Sequence, residues 1–255
     1  MLVVRNLTTK YAIRGSRVPF TAVDDVSLDL ERGEILGVVG ESGSGKSTLG
    51  RSIIGLVKPA AGEIEFEGAD LVAKGRPSPG KGARSIQMVF QDPHSSLDPR
   101  QTIEDGLDEV LRIHGERSAP ERQRRIAEVL DQIGLRAAHG QRFPHELSGG
   151  QCQRVGIARA LILQPRVMIC DEAVSALDVI VQAQILNLLR QLRDEHGIAM
   201  IFITHDVNVV RYLADDVIVM KSGRVVERGR TGQVLDAPLD PYTRALIDAV
   251  PHIHR

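Results

Sequence analysis

Tryptophan is absent, and only three tyrosines and five phenylalanines occur among 255 residues. Such a chain offers few flat rings on which the bases of a single strand could stack. A basic excess is missing as well: 32 Lys and Arg against 33 Asp and Glu leave a formal charge of −1. That balance supplies no field suited to a phosphate backbone, so nucleic acid is not expected as a partner. Cysteine is scarce. Cys152 and Cys170 are too few and too unpatterned for a disulfide framework or a metal cluster. Both stand in apolar or helical surroundings and read as small core or surface residues in a reducing cytosol. Long hydrophobic runs are lacking too. The N-terminus has no uninterrupted apolar stretch of the signal-peptide kind. The longest clean apolar run, Ile198 to Ile203, falls far short of a membrane span. The chain is therefore expected to be soluble by itself, with any membrane role exercised through a partner.

What is present is organised around Gly40 to Thr48, which reads GESGSGKST. Two glycines bracket four residues and are followed by Lys-Ser, the phosphate-binding loop pattern. Ile35 to Val39 before it reads as a short buried strand. Thr48 to Leu56 after it reads as a helix with Leu49, Ile53, Ile54 and Leu56 on the apolar side. The alternative is a glycine-rich turn that binds nothing, but a strand before and a helix after favour the loop. Gly43 and Gly45 let backbone N–H groups approach phosphate oxygens. The helix N-terminus adds partial positive charge at the same place. Lys46 can reach the β- and γ-phosphates, and the Ser47 hydroxyl can ligate Mg²⁺.

Elsewhere the chain alternates strands and helices. Leu2 to Leu30 reads as short antiparallel strands around a loop at Gly15 to Pro19. Glu63 to Glu67 and Ser85 to Phe90 read as strands, with a Gly- and charge-rich loop over Leu71 to Arg84. Thr102 to Gly140 turns helical, with one helix carrying Ile103 to Ile113 and a second running from Pro120 to Gly134. Leu147 to Gln151, LSGGQ, precedes a helix from Cys152 to Leu163. Val167 to Cys170 and Ala199 to Thr204 are buried strands separated by an amphipathic helix, Val179 to His196. Val207 to Ala214 is helical, Asp216 to Met220 and Arg224 to Glu227 form a hairpin, and Tyr242 to Val250 is a last helix. The pattern predicts an α/β fold with a mostly parallel sheet covered on both faces.

In such sheets ligands bind at the carboxyl ends of the strands. Those ends carry Gly40, Gln91, Asp171-Glu172 and His205. Asp171 closes an apolar strand where a second Mg²⁺ contact is needed. Glu172 can orient or deprotonate the water that attacks a γ-phosphate. Gln91 offers a neutral oxygen to Mg²⁺ or that water, and His205 can donate to the γ-phosphate. Taken singly, Asp171 could be a helix cap and His205 a satisfied core histidine; as a set of four strand ends they point to phosphoryl transfer. LSGGQ adds two glycines ahead of a helix, a second anion-binding nest, with the Ser148 hydroxyl beside it. One nucleotide does not need two nests from one subunit. A head-to-tail pair resolves this, the second nest capping a nucleotide held by the partner.

Gly40–Thr48, Gln91, Leu147–Gln151, Val167–Glu172, Ser175-Ala176-Leu177-Asp178 and His205 together resemble the ATP-binding subunit of an ABC transporter, over nearly the whole chain. The resemblance implies a RecA-like P-loop NTPase core with an antiparallel β subdomain (1–95 and 166–228 together), an inserted helical subdomain (96–165) and a C-terminal tail (229–255). It implies ATP and Mg²⁺ as cofactors. ATP would contact Gly40, Glu41, Ser42, Gly43, Ser44, Gly45, Lys46, Ser47 and Thr48, with Mg²⁺ at Ser47, Gln91 and Asp171. Glu172, His205 and Gln91 would be catalytic. Ser148, Gly149, Gly150, Gln151 and Asp178 would meet the partner subunit's ATP at the dimer seam. Tyr11, which on position alone reads as a half-buried strand residue, becomes the adenine-stacking candidate, with Phe20 a weaker one.

MVFQDPHSSLDPR, HELSGGQ, CDEAVSALDV, VQAQILNLL and DPYTRAL resemble the dipeptide, oligopeptide, glutathione and nickel importer group. That implies two membrane permeases and a solute-binding protein as partners, at the cytoplasmic face of the bacterial inner membrane. Cys152 stands where Gln or Arg is common, and Ala173-Val174 replaces the widespread Pro-Thr. Many members carry iron–sulfur cysteines beyond the last proline; here Arg255 follows Pro251 without them, so a shorter member or a non-identical ATPase partner is expected. A soluble DNA-repair ATPase would place a long coiled coil before LSGGQ, and a translation factor would carry two cassettes; neither is present.

Overall fold

The computed structural model describes residues 1–13, 15, 18–72, 84–92 and 97–249. Most of the expected loop at Leu71 to Arg84, part of that at Gly15 to Pro19, and Val250 at the end of the expected last helix therefore lie outside the described residues. The chain opens with β1 (Leu2–Tyr11), β2 (Phe20–Leu30) and β3 (Ile35–Val39), then α1 (Lys46–Ile53), β4 (Ala61–Phe66), β5 (Ala69–Asp70) and β6 (Ile86–Val89). Three helices follow: α2 (Ile103–Ile113), α3 (Ala119–Gln132) and α4 (Gly149–Leu161). The second half runs β7 (Val167–Asp171), α5 (Val179–His196), β8 (Ala199–Thr204), α6 (Val207–Leu213), β9 (Asp216–Lys221), β10 (Arg224–Arg230), α7 (Thr231–Asp236) and α8 (Pro241–Asp248).

Among the described residues two sheets form, with strand orders β2-β1-β4-β5 and β10-β9-β3-β8-β7-β6. The first is antiparallel throughout. In the second, β9, β3, β8, β7 and β6 are parallel and only the edge strand β10 runs against its neighbour. Strands β3, β7 and β8 are buried at every residue, as their unbroken apolar sequences require of a sheet covered on both sides. Side-chain alternation divides them between two cores. Ile169, Ile201 and Ile203 pack with Leu49 and Ile53 of α1 and with Leu7, Val26 and Ile64 of the antiparallel sheet. Met168, Cys170, Met200 and Phe202 pack on the other side with Leu188 and Leu189 of α5 and with the α2–α4 helices. Each such fully buried aliphatic side chain contributes about 1.5–3 kcal/mol. Helix α1 is thus wedged between two sheets, and the buried Thr9 and Ser52 hydroxyls meet across that wedge at 2.9 Å. The wedge fixes where the loop before α1 can lie.

Several expectations need correction. Strands β1 and β2 are long, not short. Their alternation is masked by register shifts near Asn6 and Asp25, both in the left-handed region and joined Nδ2 to Oδ1 at 2.8 Å. Helix α1 stops at Ile53; Gly55 turns the chain at φ +78°, so Leu56 is 62% exposed rather than on an apolar face. The hairpin runs on to Arg230, whose pairing with Asp216 gives its charged edge a partner. Helix α4 begins at Gly149, so the LSGGQ glycines lie inside its first turn rather than ahead of it. The tail contains α7, too short for a periodic signal, whose Val234 and Leu235 are buried against Val217 and Val219 of β9.

Candidate active site

The loop from Gly40 to Gly45 crosses from the end of β3 to α1 with Gly40, Gly43 and Gly45 at φ +153°, +80° and +103°. A Cβ on Gly40 would lie 2.1 Å from the Met220 carbonyl oxygen, and one on Gly45 2.2 Å from that of Ala22. Neither position can accept a side chain, so α1 has no side-chain N-cap. The N–H groups of its first turn, at Lys46, Ser47 and Thr48, have no acceptor within the helix. Gly43 faces open space. The result is a cluster of unsatisfied donors at a positive helix end, which suits an anion.

Lys46 is 4% exposed and its ammonium donates to the carbonyls of Gly40 and Glu41, both at 2.8 Å. Burial lowers its pKa, while the carboxylates of Glu172, Asp171 and Glu41 oppose that shift. Ser47 Oγ donates to Asp171 Oδ1 at 2.7 Å. Asp171 is 2% exposed, and burial raises its carboxyl pKa against the opposing Ser47 bond and Arg51, whose Nη2 lies 3.8 Å from Oδ2. Arg51, on α1, carries no motif signal in the sequence and reaches Asp171 only through the fold. Asp171 is no helix cap; Asp178 is one, accepting from the Val181 N–H at 2.9 Å to start α5.

Glu172 follows Asp171 at φ +48°, a conformation that costs a non-glycine residue about 1–3 kcal/mol. The turn sends the two adjacent carboxylates to different partners. Glu172 Oε2 accepts from Gln91 Nε2 at 2.9 Å, and Oε1 lies 3.5 Å from His205 Nδ1. His205 is 58% exposed at its side chain and so is not a core histidine. Of the four strand ends, Gly40 accepts from Lys46, Asp171 from Ser47, and Glu172 meets both Gln91 and His205. Tyr11 pairs with Phe20 across β1 and β2, and its hydroxyl lies 3.4 Å from that of Thr48. Both rings are partly exposed. Outside the residues expected at the site, Tyr242 of α8 accepts from the Glu41 N–H at 3.1 Å.

The N-terminus of α4 differs. Ser148 Oγ accepts from the Gln151 N–H at 3.3 Å, and Gln151 Oε1 accepts from the Ser148 N–H at 3.0 Å. Only the Gly149 and Gly150 N–H groups remain uncapped in that turn. Gly150 also lets α4 pack on α5, since a Cβ there would lie 2.4 Å from Val181 Cγ1. Cys152 and Cys170 are buried and free; burial beside Asp171 pushes the Cys170 thiol up to about 12. Among the described residues, no helix is long and apolar enough to cross a membrane.

A phosphate loop on the rim of a parallel sheet, facing two carboxylates from the next strand but one, defines a P-loop nucleotide hydrolase. Residues 23–175 match the ABC transporter family, and the chain belongs to it as an ATP-hydrolysing cassette. It is 53% identical over 232 residues to the oligopeptide transport ATP-binding protein OppF of Escherichia coli (strain K12), spanning 90% of this chain and 69% of that one. It is 45% identical over 253 residues to a Brucella abortus (strain 2308) protein named for peptide import ATP binding, spanning 99% and 76%. Among solved structures, the dimeric post-hydrolysis state of the ATP-binding cassette MJ0796 with ADP and Pi superimposes with a TM-score of 0.79 at 31% identity, covering 91% of this chain and 99% of that one. The cassette cbiO1 of Clostridium perfringens, part of the transporter complex cbiONQ, also gives 0.79, at 29% identity over 92% and 90%.

Proposed function

We propose that this chain is the ATPase subunit of a bacterial importer for peptides, with Glu172 directing the attacking water and a second ATPase subunit completing the site. The observation that carries this reading is the rim on which Ser47 meets Asp171 while Glu172 meets Gln91 and His205. The first-turn N–H groups of α1 and the Lys46 ammonium hold the phosphates of ATP. Tyr11, with Phe20 beside it, stacks on adenine. Ser47, Asp171 and the Gln91 carbonyl oxygen are hard oxygen donors of the kind Mg²⁺ takes, and would hold it against the phosphates to neutralise charge. Glu172 accepts a hydrogen bond from water and later its proton, with Gln91 and His205 fixing the carboxylate's orientation. His205 donates to the γ-phosphate. Positioning and charge stabilisation supply most of the acceleration.

The α4 N-terminus, with Ser148 to Gln151, covers the γ-phosphate of the partner subunit's nucleotide, and Asp178 lies at that seam. Coupling to the membrane runs through the helical segment, residues 96–165. A groove of about 700 Å³ separates it from the core, lined by Phe90, Gln91, Val110, Ile113 and Arg159. Ile113 there is 73% exposed. A cytoplasmic segment of a membrane permease fits such an apolar-floored groove beside Gln91, and places the chain at the inner face of the plasma membrane. Two permeases and an external solute-binding protein complete the importer. The names of the relatives favour peptides over nickel chelates. The test is uptake of a labelled oligopeptide by cells in which this chain carries Glu172→Gln. Loss of uptake with the protein still present is expected. Uptake at the parental rate would remove the reading.

A further inference from the structure

The DPYTRAL stretch that opens α8 has no part in the chemistry above, yet it touches the phosphate loop. Tyr242 Oη accepts from the Glu41 N–H at 3.1 Å. The carbonyl of the same peptide unit, that of Gly40, accepts from Lys46 Nζ at 2.8 Å. One peptide is therefore held at both ends, and each bond polarises the amide in favour of the other. Gly40, with φ +153°, has the backbone freedom to let that peptide turn if it is released. Tyr242 itself is well fixed. Lys221 Nζ lies 4.6 Å from its ring centroid, and Asp240 Oδ1 accepts from the Tyr242 N–H at 2.7 Å. Glu227 of β10 anchors the turn before α8, accepting from the Leu239 and Asp240 N–H groups at 2.8 and 3.1 Å. The hairpin adds a parallel brace, the Gly223 N–H donating to the Ser44 carbonyl at 2.9 Å.

We propose that Tyr242 is a positioning residue for ATP binding. Its hydroxyl keeps the Gly40–Glu41 peptide oriented when the Lys46 ammonium leaves the Gly40 carbonyl for phosphate. A loop held in its binding shape loses less conformational freedom when ligand arrives, so affinity rises without any contact between Tyr242 and nucleotide. This rests on the reading of Gly40 to Thr48 as the ATP site, and it gives α8 a direct influence on that site.

Tyr242→Phe removes the hydroxyl and keeps the ring that packs under Lys221. Calorimetric titration with ATP should show affinity weakened about five-fold, the worth of one neutral hydrogen bond. At saturating ATP the turnover number should change by less than about two-fold, because the bond is equally absent from the ground and transition states of the variant. The thermal midpoint should hold, and the Glu41 amide should exchange faster with deuterium by NMR. Unchanged affinity together with unchanged Glu41 exchange overturns the proposal. So does a fall in midpoint that lowers affinity and turnover alike, which is what a mere anchor for α8 would give. Lys46→Ala measured alongside separates the two readings. If it too binds ATP normally, the site assignment fails; if it loses ATP while Tyr242→Phe is silent, only the tyrosine's role falls.

Discussion

Among the described residues, the helix N-termini of α1 and α4 both carry glycine-rich sequence, and they are built in opposite ways. At α1 the cap position is Gly45, pressed so close to the Ala22 carbonyl that no side chain fits, and the helix goes uncapped. At α4 the cap is Ser148, locked with Gln151 in a reciprocal pair. The first end gathers charge: a buried ammonium at Lys46 and a buried carboxylate at Asp171. The second has two spare N–H groups and its hydroxyl already accepting. Packing thus forbids α1 from satisfying itself and leaves its donors to a ligand, whereas α4 folds as a finished helix with a small surplus. On the proposed reading, the first end binds a nucleotide and the second adds to one already held by a partner subunit.

The largest expected effect breaks the chemistry and leaves both ends intact. Glu172→Gln should lower ATP turnover by about 10²–10⁴-fold, the usual worth of a general base. ATP should still bind, and a closed dimer should accumulate on gel filtration with ATP. Normal turnover would show that Glu172 is not the water-directing group. Next comes the α1 end itself. Lys46→Ala should weaken ATP binding by about 1.5–3 kcal/mol, the scale of a charge-assisted contact. Unchanged affinity would erase the contrast between the two ends.

How legible this was in the sequence varies by element. The parallel strands and the residues at their ends were readable because buried strands carry unbroken apolar runs and their polar termini stand out. β7 and β8 lay where expected, and Asp171, Glu172 and His205 fell at their carboxyl ends. The antiparallel sheet was less legible because bulges at Asn6 and Asp25 interrupt the two-residue period. Arg51 and Tyr242 carry no sequence signal that marks them as neighbours of the loop and its carboxylates. Each meets the site through tertiary approach, Arg51 across to β7 and Tyr242 from a helix two hundred and one residues beyond Glu41 in sequence. The LSGGQ glycines read as a nest ahead of the helix because their helix-breaking composition hides a helical first turn, which the Ser148–Gln151 cap makes possible.

A smaller effect belongs to α4. Ser148→Ala should destabilise the helix by about 1 kcal/mol through loss of its cap. It should lower ATPase activity at limiting subunit concentration while ATP affinity of the single subunit stays as it was. A parallel loss of single-subunit affinity would mean that α4 contributes to the nucleotide site of its own chain. The smallest effect concerns stability at the α1 end. Burial raises the folded-state pKa of Asp171 above its unfolded value. Its ionised form therefore detracts from folding at neutral pH, and that loss is recovered as pH falls through the folded pKa. Asp171→Asn should leave the thermal midpoint of the nucleotide-free protein level or slightly higher, with hydrolysis lost. A midpoint several degrees lower would make Asp171 a structural residue.

The claim that the phosphate loop is half of a site meets its most direct test in the ATPase rate of the purified chain across a dilution series. Rate per subunit should rise with concentration and level off once dimers predominate. A rate per subunit that stays constant and active down to the lowest concentration would mean that one chain holds the whole site.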